Sequence, residues 1–430
     1  MGICWPCESP TTHNQGIIVS LYIDPDNIDN IYAGTNSSGM FHTQDGGQTW
    51  QNVTDNILMP GLGVLDIAVN NNNANEIYIS TGNNHNNYGT GIYKTSDNCN
   101  TWQQVLTFDP NERMIGRRLL INPQNPSIVY ALINKYVYRT TNGGTNWEIV
   151  FDQLEYDPGH WDKNKYLQDI EIKPNDYNTV YISSVGIKTS TNPNHLLCAE
   201  LWKTHNATDA SVNWQRIENG LPDFVERIGI AVSTNEPNRL FIGYSLPSNL
   251  PNRVSFYLKS SEYPAYTISD VFSKEDFYPG YSASYSGLGY FALDMEMSPT
   301  DPSIMYLGGY NLEVLDINTA VTKKFYSVTS SSNPYFHVDQ RVFKTAVSDG
   351  NTYLYCGNDG GVSRFDYENN IMLSLNGTGL DNLQYFGIAN SELIPEFHIG
   401  GTQDNGEIGN GTGNWLRYNV GTRMKILLIL

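Results

Sequence analysis

An eight-residue segment, Thr43-Gln44-Asp45-Gly46-Gly47-Gln48-Thr49-Trp50, returns in altered form along the chain, and such self-similarity confines the fold to repeat architectures. The copy from Thr95 to Trp102 keeps both threonines, Asp97 and the Trp. The copy from Thr140 to Trp147 keeps the frame with Asn142 in place of the Asp, and a longer, degenerate copy runs from Lys203-Thr204 to Asn213-Trp214. Before each copy stands a run that alternates or is apolar, such as Gly91-Ile92-Tyr93-Lys94 or Tyr136-Val137-Tyr138-Arg139, and reads as a strand. Asp45 and Asp97, with Asn142 in the same place, are expected to accept hydrogen bonds from backbone N–H groups of a turn. The Gly pair supplies positive φ where a Cβ would clash. The closing Trp50, Trp102, Trp147 and Trp214 each begin a further strand and are expected to wedge between neighbouring units. An acid repeated at the rim of every unit cannot converge on one substrate, so these residues read as structural.

A second element recurs between the copies. A polar turn rich in Asn, Asp or Pro followed by an apolar strand occupies 24–34, 70–80, 122–132, 173–183, 233–243 and 298–308, and more weakly precedes Tyr353. The aromatics that mark these strands, Tyr32, Tyr78, Tyr130, Tyr181, Phe241, Tyr306 and Tyr355, step by 46, 52, 51, 60, 65 and 49 residues. Each interval is long enough for four short strands, and helical periodicity is nearly absent. The expected fold is therefore all-β: a β-propeller of about seven four-stranded blades over residues 1–380. An eighth unit starts near Gln384, so 381–430 reads as the start of a further blade or of a second propeller.

The chain carries 25 basic against 44 acidic residues, a net −19, which argues against nucleic acid because phosphate binding needs a basic footprint. Thirty-eight Gly and 29 Tyr suit turns and half-buried strands. Cys4, Cys7, Cys99, Cys198 and Cys356 form an odd, scattered set. Cys4-Trp5-Pro6-Cys7 has redox-motif spacing without a following βαβ pattern, so a local disulfide or an incidental pair is preferred. No basic and apolar leader opens the chain, and the apolar end 424–430 is too short to span a bilayer. That end follows a repeat-like turn and Trp415 abruptly, so the chain reads as cut at both ends.

The repeated turn resembles the Asp-box, or BNR, repeat. From Gly287 the segments 287–309, 335–343, 354–365, 376–389 and 400–406 follow in an order similar to that of sortilin-like and xyloglucanase-like propellers of Bacteroidetes proteins exported by the type IX system. No cofactor is expected from the residues; the resemblance implies a propeller and export to the cell surface or beyond. It leaves the activity open, because Asp-boxes are shared by sialidases, xyloglucanases and sortilin-type receptors.

Xyloglucanase-type hydrolases place a catalytic carboxylate in a first-blade segment similar to 32–41, and there this chain has Asn36. An amide is neither general base nor nucleophile, and the family's second carboxylate lies in a second propeller. Sialidase chemistry needs three convergent arginines, whereas Arg117, Arg118, Arg139, Arg227, Arg341 and Arg364 are spread over the chain and read as packing or surface residues. His337 and Asp339 sit two apart in a segment resembling a family H-x-D-Q-H pattern, and on one strand face they suit a cation or a polarised ligand, or a buried His–Asp hydrogen bond. The turns 358–361 and 403–406 are oxygen-rich enough for Ca²⁺ without matching an EF-hand, and turn formation suffices to explain them. The aromatic insertion 263–290 carries Tyr278, Tyr281, Tyr285 and Tyr290 as candidate ligand contacts. The favoured function is a non-catalytic module that recognises glycan or protein through loops over the channel mouth. The alternative is part of a glycoside hydrolase that cuts a β-glucan.

Overall fold

The computed structural model describes residues 15–57, 63–83, 88–156, 166–188, 196–197, 199–217, 221, 225, 227–245, 256–262, 268–274, 294–309, 311–319, 321–326, 337–390, 397–402, 406–410 and 415–417. Among the described residues nearly every element is a short antiparallel strand, with one four-residue helix, Gln153–Tyr156. Strands that follow one another in the chain pair with one another, which produces a succession of four-stranded meanders. The first sheet, for example, joins Ile18–Ile23, Ile31–Thr35, Met40–Thr43 and Gln51–Asn52 in that order. Among the described residues the fourth sheet interrupts the order, with the small hairpin Ile187–Lys188 and Leu196–Leu197 inserted between its second and third strands.

The fold is an all-β propeller. The first strands of successive sheets contact one another: Ile18–Ile23 contacts Val64–Val69, which contacts Gly116–Ile121, and the series continues through Leu167–Ile172, Arg227–Val232, Asp294–Met297 and Gln340–Ser348. Gln340–Ser348 in turn contacts Ile18–Ile23, so the series returns to its start. A further four-stranded sheet, opening with Tyr385–Asn390, follows in sequence. Its first strand is open to solvent, with Ile388 70% exposed.

The marker aromatics explain how neighbouring sheets lock. All of them lie on second strands and are buried. Three tyrosines also reach forward: Tyr32 Oη donates to Asn98 Oδ1 (2.8 Å), Tyr130 Oη to the Ala207 carbonyl (2.9 Å), and Tyr355 Oη to the Ile28 carbonyl (3.1 Å). Each of these bonds lands on the following sheet, the last on the first sheet of all. A ring whose apolar body fills the inter-sheet space while its hydroxyl finds a fixed acceptor explains why aromatics recur here. Beside the last of these bonds, Ile18, Ile31 and Trp50 share one core cluster with Val342, Tyr355 and Leu375, joining the two ends of the series.

Candidate functional site

The rim is built from the repeated turns. Asp45 Oδ1 accepts the Thr43 hydroxyl (2.7 Å) and the Thr49 N–H (2.9 Å), while Oδ2 accepts the Thr49 hydroxyl (2.6 Å). Asp97 repeats the pattern with Thr95 (2.8 Å) and Thr101 (2.9 and 2.6 Å). In the third copy Asn142 Oδ1 accepts the Thr140 hydroxyl (3.0 Å) and the Asn146 N–H (2.9 Å). In the degenerate copy the same place belongs to Asn206, which accepts from Thr204 (2.9 Å) and from the Asn213 N–H (2.9 Å) across a longer loop. Asn206 was not singled out from the sequence; its signal was the threonine two residues before it. The hydroxyl bonds and N–H of Thr49, with that of Thr43, hold the Asp45 carboxyl down at about 2.

The left-handed turn does not require glycine throughout. Gly46 and Gly47 have φ of 67° and 87°, but in the second copy Asn98 (56°) and Cys99 (67°) take those conformations. Gly47 has a second reason to lack a side chain, since a Cβ would lie 2.6 Å from Leu375 Cβ in the sheet that meets the first one. The tryptophans point backwards: Trp50 Nε1 donates to the Leu375 carbonyl (2.9 Å), Trp102 Nε1 to Val53 (3.2 Å) and Trp214 Nε1 to Val150 (2.9 Å). Trp147 closes the third copy half-buried, packed against the core cluster that holds Tyr78, Ile92 and Val129.

The axis has a different chemistry, which the sequence reading missed. Inner strands bring together Asp66, Asp169, Glu171, Asp294 and Glu296 with Arg118, Arg227 and Lys344. Arg118 spans two carboxylates, 3.4 Å from Asp169 and 3.9 Å from Asp294, and its side chain is 18% exposed. Three aspartates also accept a backbone N–H from the next inner strand: Asp66 from Leu119 (2.6 Å), Asp169 from Ile230 (3.3 Å) and Asp294 from Phe343 (2.5 Å). A register shift in the strand pairing immediately precedes Asp66 and Asp169 and re-aims both carboxylates toward their neighbours. Burial pushes the Asp294 carboxyl up to about 6 against the pull of Arg118, and also raises Asp66, Glu171 and Glu296. Burial works against the charge on Arg118, yet Asp169, Asp66 and Asp294 together keep its guanidinium above the ordinary value. The signal existed in the sequence as Asp66-Ile67-Ala68-Val69, Asp169-Ile170-Glu171-Ile172 and Asp294-Met295-Glu296-Met297, each ending one residue before a polar turn.

The other residues named from sequence divide by environment. Tyr278, Tyr281, Tyr285 and Tyr290, and the pair Cys4 and Cys7, lie outside the described residues. His337 and Asp339 do not share a strand face: both precede the strand Gln340–Ser348 in a bend, with Asp339 at φ 62°, because the chain turns there to enter the inner strand. His337 Nδ1 lies 3.0 Å from the Val338 carbonyl, and the ring is 7% exposed. In the turn 358–361 the Asp359 carboxylate is taken by Arg341 at 2.7 and 2.8 Å, and among the described residues no His, Cys, Asp and Glu group suited to a metal is found. Arg117 lies 3.4 Å over the Tyr166 ring, Arg364 lies 5.0 Å over that of Tyr353, and Arg139 pairs with Glu148 at 2.6 Å. Asn36 is 2% exposed, its N–H bonded to the Ile17 carbonyl (3.2 Å).

Residues 38–275, more than half of the chain, match the family model Sortilin-Vps10, described as sortilin, neurotensin receptor 3. A probable oligoxyloglucan-reducing end-specific xyloglucanase of Neosartorya fischeri is 31% identical over 153 residues, 33% of this chain and 17% of that protein. A xyloglucanase of a Paenibacillus species is 26% identical over 246 residues, 56% of this chain and 19% of that protein. The chain thus spans less than a fifth of the length of either curated relative. The crystal structure of an ancestral GH74 enzyme superposes with a TM-score of 0.64 at 17% identity, covering 97% of this chain and 56% of that one. No helix among the described residues is long and apolar enough to cross a membrane.

Proposed function

From the premise that this chain belongs to the Sortilin-Vps10 family, we propose that it is the binding propeller of an exported protein, recognising a glycan without cleaving it. The ring is read as seven blades ending near residue 380, with the sheet that opens at Tyr385 starting the next unit. The return contact between Gln340–Ser348 and Ile18–Ile23 supports that count. The xyloglucanase relatives make a neutral β-glucan the favoured ligand class, and a protein ligand the second. Recognition is assigned to the loops over the channel mouth, with Tyr278, Tyr281, Tyr285 and Tyr290 as stacking surfaces.

The observation that carries the non-catalytic reading is Asn36. It stands where the resembling hydrolases place a carboxylate, it is an amide, and it is 2% exposed, so it neither moves a proton nor meets a glycosidic oxygen. The axial aspartates Asp66, Asp169 and Asp294 do not replace it, because they are held by Arg118 or by backbone N–H groups of neighbouring strands. A reducing-sugar assay on xyloglucan, run beside calorimetric titration with its oligosaccharides, tests the proposal. Binding without release of reducing ends is expected, and Tyr281→Ala/Tyr285→Ala should weaken it. Turnover by the parent chain would overturn the non-catalytic reading. The 31% identity to a xyloglucanase favours one alternative, a hydrolase whose chemistry requires a further domain; turnover that appears only when such a domain is supplied would establish it.

A further inference from the structure

A cleft of about 300 Å³ opens between the first and second sheets at their outer edges. His42, Gln44, Gln51, Asn52 and Asn56 line it from the first sheet and Asn98 from the second. None of its lining residues is an acid, a lysine or an arginine, although the chain as a whole carries 44 acidic residues. The one titratable ring, His42, is neutral near pH 7, since burial pulls it down to about 4.

The lining divides into a fixed floor and free arms. The floor is His42, which stacks on Tyr32 behind it with ring centres 4.1 Å apart and planes 7° from parallel, and Tyr32 Oη is tied to the lining residue Asn98 (2.8 Å). Asn52 is fixed by donating to the Ser38 carbonyl (2.8 Å) and accepting the Thr54 N–H (2.9 Å). Gln44, Gln51 and Asn56 are exposed; Gln51 pairs with His42 through its backbone, and the three side-chain carboxamides make no hydrogen bond to another described side chain. Each of their carboxamides offers two donors and an acceptor. A surface of paired donors and acceptors without net charge fits a ligand that is itself neutral and bears many hydroxyls. The volume sits at the small end of small-molecule sites, room for a short stretch of an extended chain but not for a folded partner.

We infer that this amide-lined cleft is a binding site for neutral oligosaccharide, separate from the loops over the channel mouth. Anionic sugars are excluded by the charge of the chain and by Asp45 and Asp97, the residues next to Gln44 and Asn98. The site does not depend on the channel-mouth reading, and the two are separable by experiment.

The test uses the full chain with cellohexaose and hexagalacturonate as probes, read by saturation-transfer NMR and calorimetry. Cellohexaose should bind and hexagalacturonate should not. Gln51→Glu, and separately Gln44→Ala/Asn56→Ala, should weaken cellohexaose binding at least about tenfold. These side chains are exposed, so the thermal midpoint should stay at the parent value. Equal binding of the two sugars, no binding of either, or cleft variants that bind like the parent would overturn the inference. Loss of binding in Tyr281→Ala/Tyr285→Ala with the cleft variants unaffected overturns the cleft and leaves the channel-mouth reading standing. Loss in the cleft variants alone does the reverse.

Discussion

Asp45 at the rim and Asp294 at the axis carry the same carboxyl group, and the protein moves their acidities in opposite directions. The rim carboxyl sits in solvent and is surrounded by donors from its own turn, which hold it at about 2. The axial carboxyl receives one backbone N–H and the partial company of Arg118, but it has lost water, and burial carries it up to about 6. Hydrogen bonds to the charged form decide the first case and desolvation the second. The difference teaches that an aspartate's role in a repeat array depends on how far from the axis it stands: outside it organises a turn, inside it ties one strand to the next.

Removing Arg118 should break this comparison most severely. Arg118→Met leaves Asp169 and Asp294 without their shared cation, and a loss of about 3–5 kcal/mol is expected in urea unfolding at pH 7. A loss below that of an ordinary surface substitution would show that the axial charges are independent of one another.

The opposed acidities also set opposite pH dependences. Asp294 binds its proton more tightly in the fold than in the unfolded chain, so its favourable contribution is complete below about 4 and is lost as the pH rises through about 6. Asp45 contributes stability that is complete above about 4 and is lost as the pH falls through about 2. Unfolding free energies at pH 4 to 7 for the parent minus those for Asp294→Asn should therefore decline with rising pH, by on the order of 2 kcal/mol across the window. A flat difference would remove the axis from the contrast.

Trp50→Phe keeps most of the apolar body of the wedge and deletes the indole donor to Leu375, leaving that carbonyl without this partner. A loss of about 1–1.5 kcal/mol is expected, with the thermal midpoint as the measure. Asp45→Asn should have the smallest effect. Asn142 and Asn206 already accept the same threonine hydroxyl and backbone N–H with an amide oxygen, so the turn keeps its bonds and loses only their charge assistance. The midpoint should fall by less than in any variant above, and a fall comparable to that of Arg118→Met would contradict the local reading of the rim.

The rim was legible in the sequence because its interactions are local. Thr43, Asp45 and Thr49 lie within six residues of one another, and the acceptor and its donors recur together at each copy. The periodic tyrosines were legible for a related reason, since a buried strand position repeats with its unit. His337 and Asp339 misled because period-two reasoning assumes extended backbone, and Asp339 is left-handed. The axial network was missed for the converse reason. Asp66 and Leu119 are 53 residues apart, and nothing within either segment says that they meet. The amide-lined cleft likewise joins His42 to Asn98 across two sheets.

By itself, then, the sequence determined the repeat, the strand alternation and the capped turns, all of which follow from neighbours along the chain. Which carboxylates face one another across the axis, which carbonyl each indole finds and which amides share a cleft were decided only when the sheets packed. Those partners lie tens to hundreds of residues apart and are brought together by burial of apolar faces rather than by local preference.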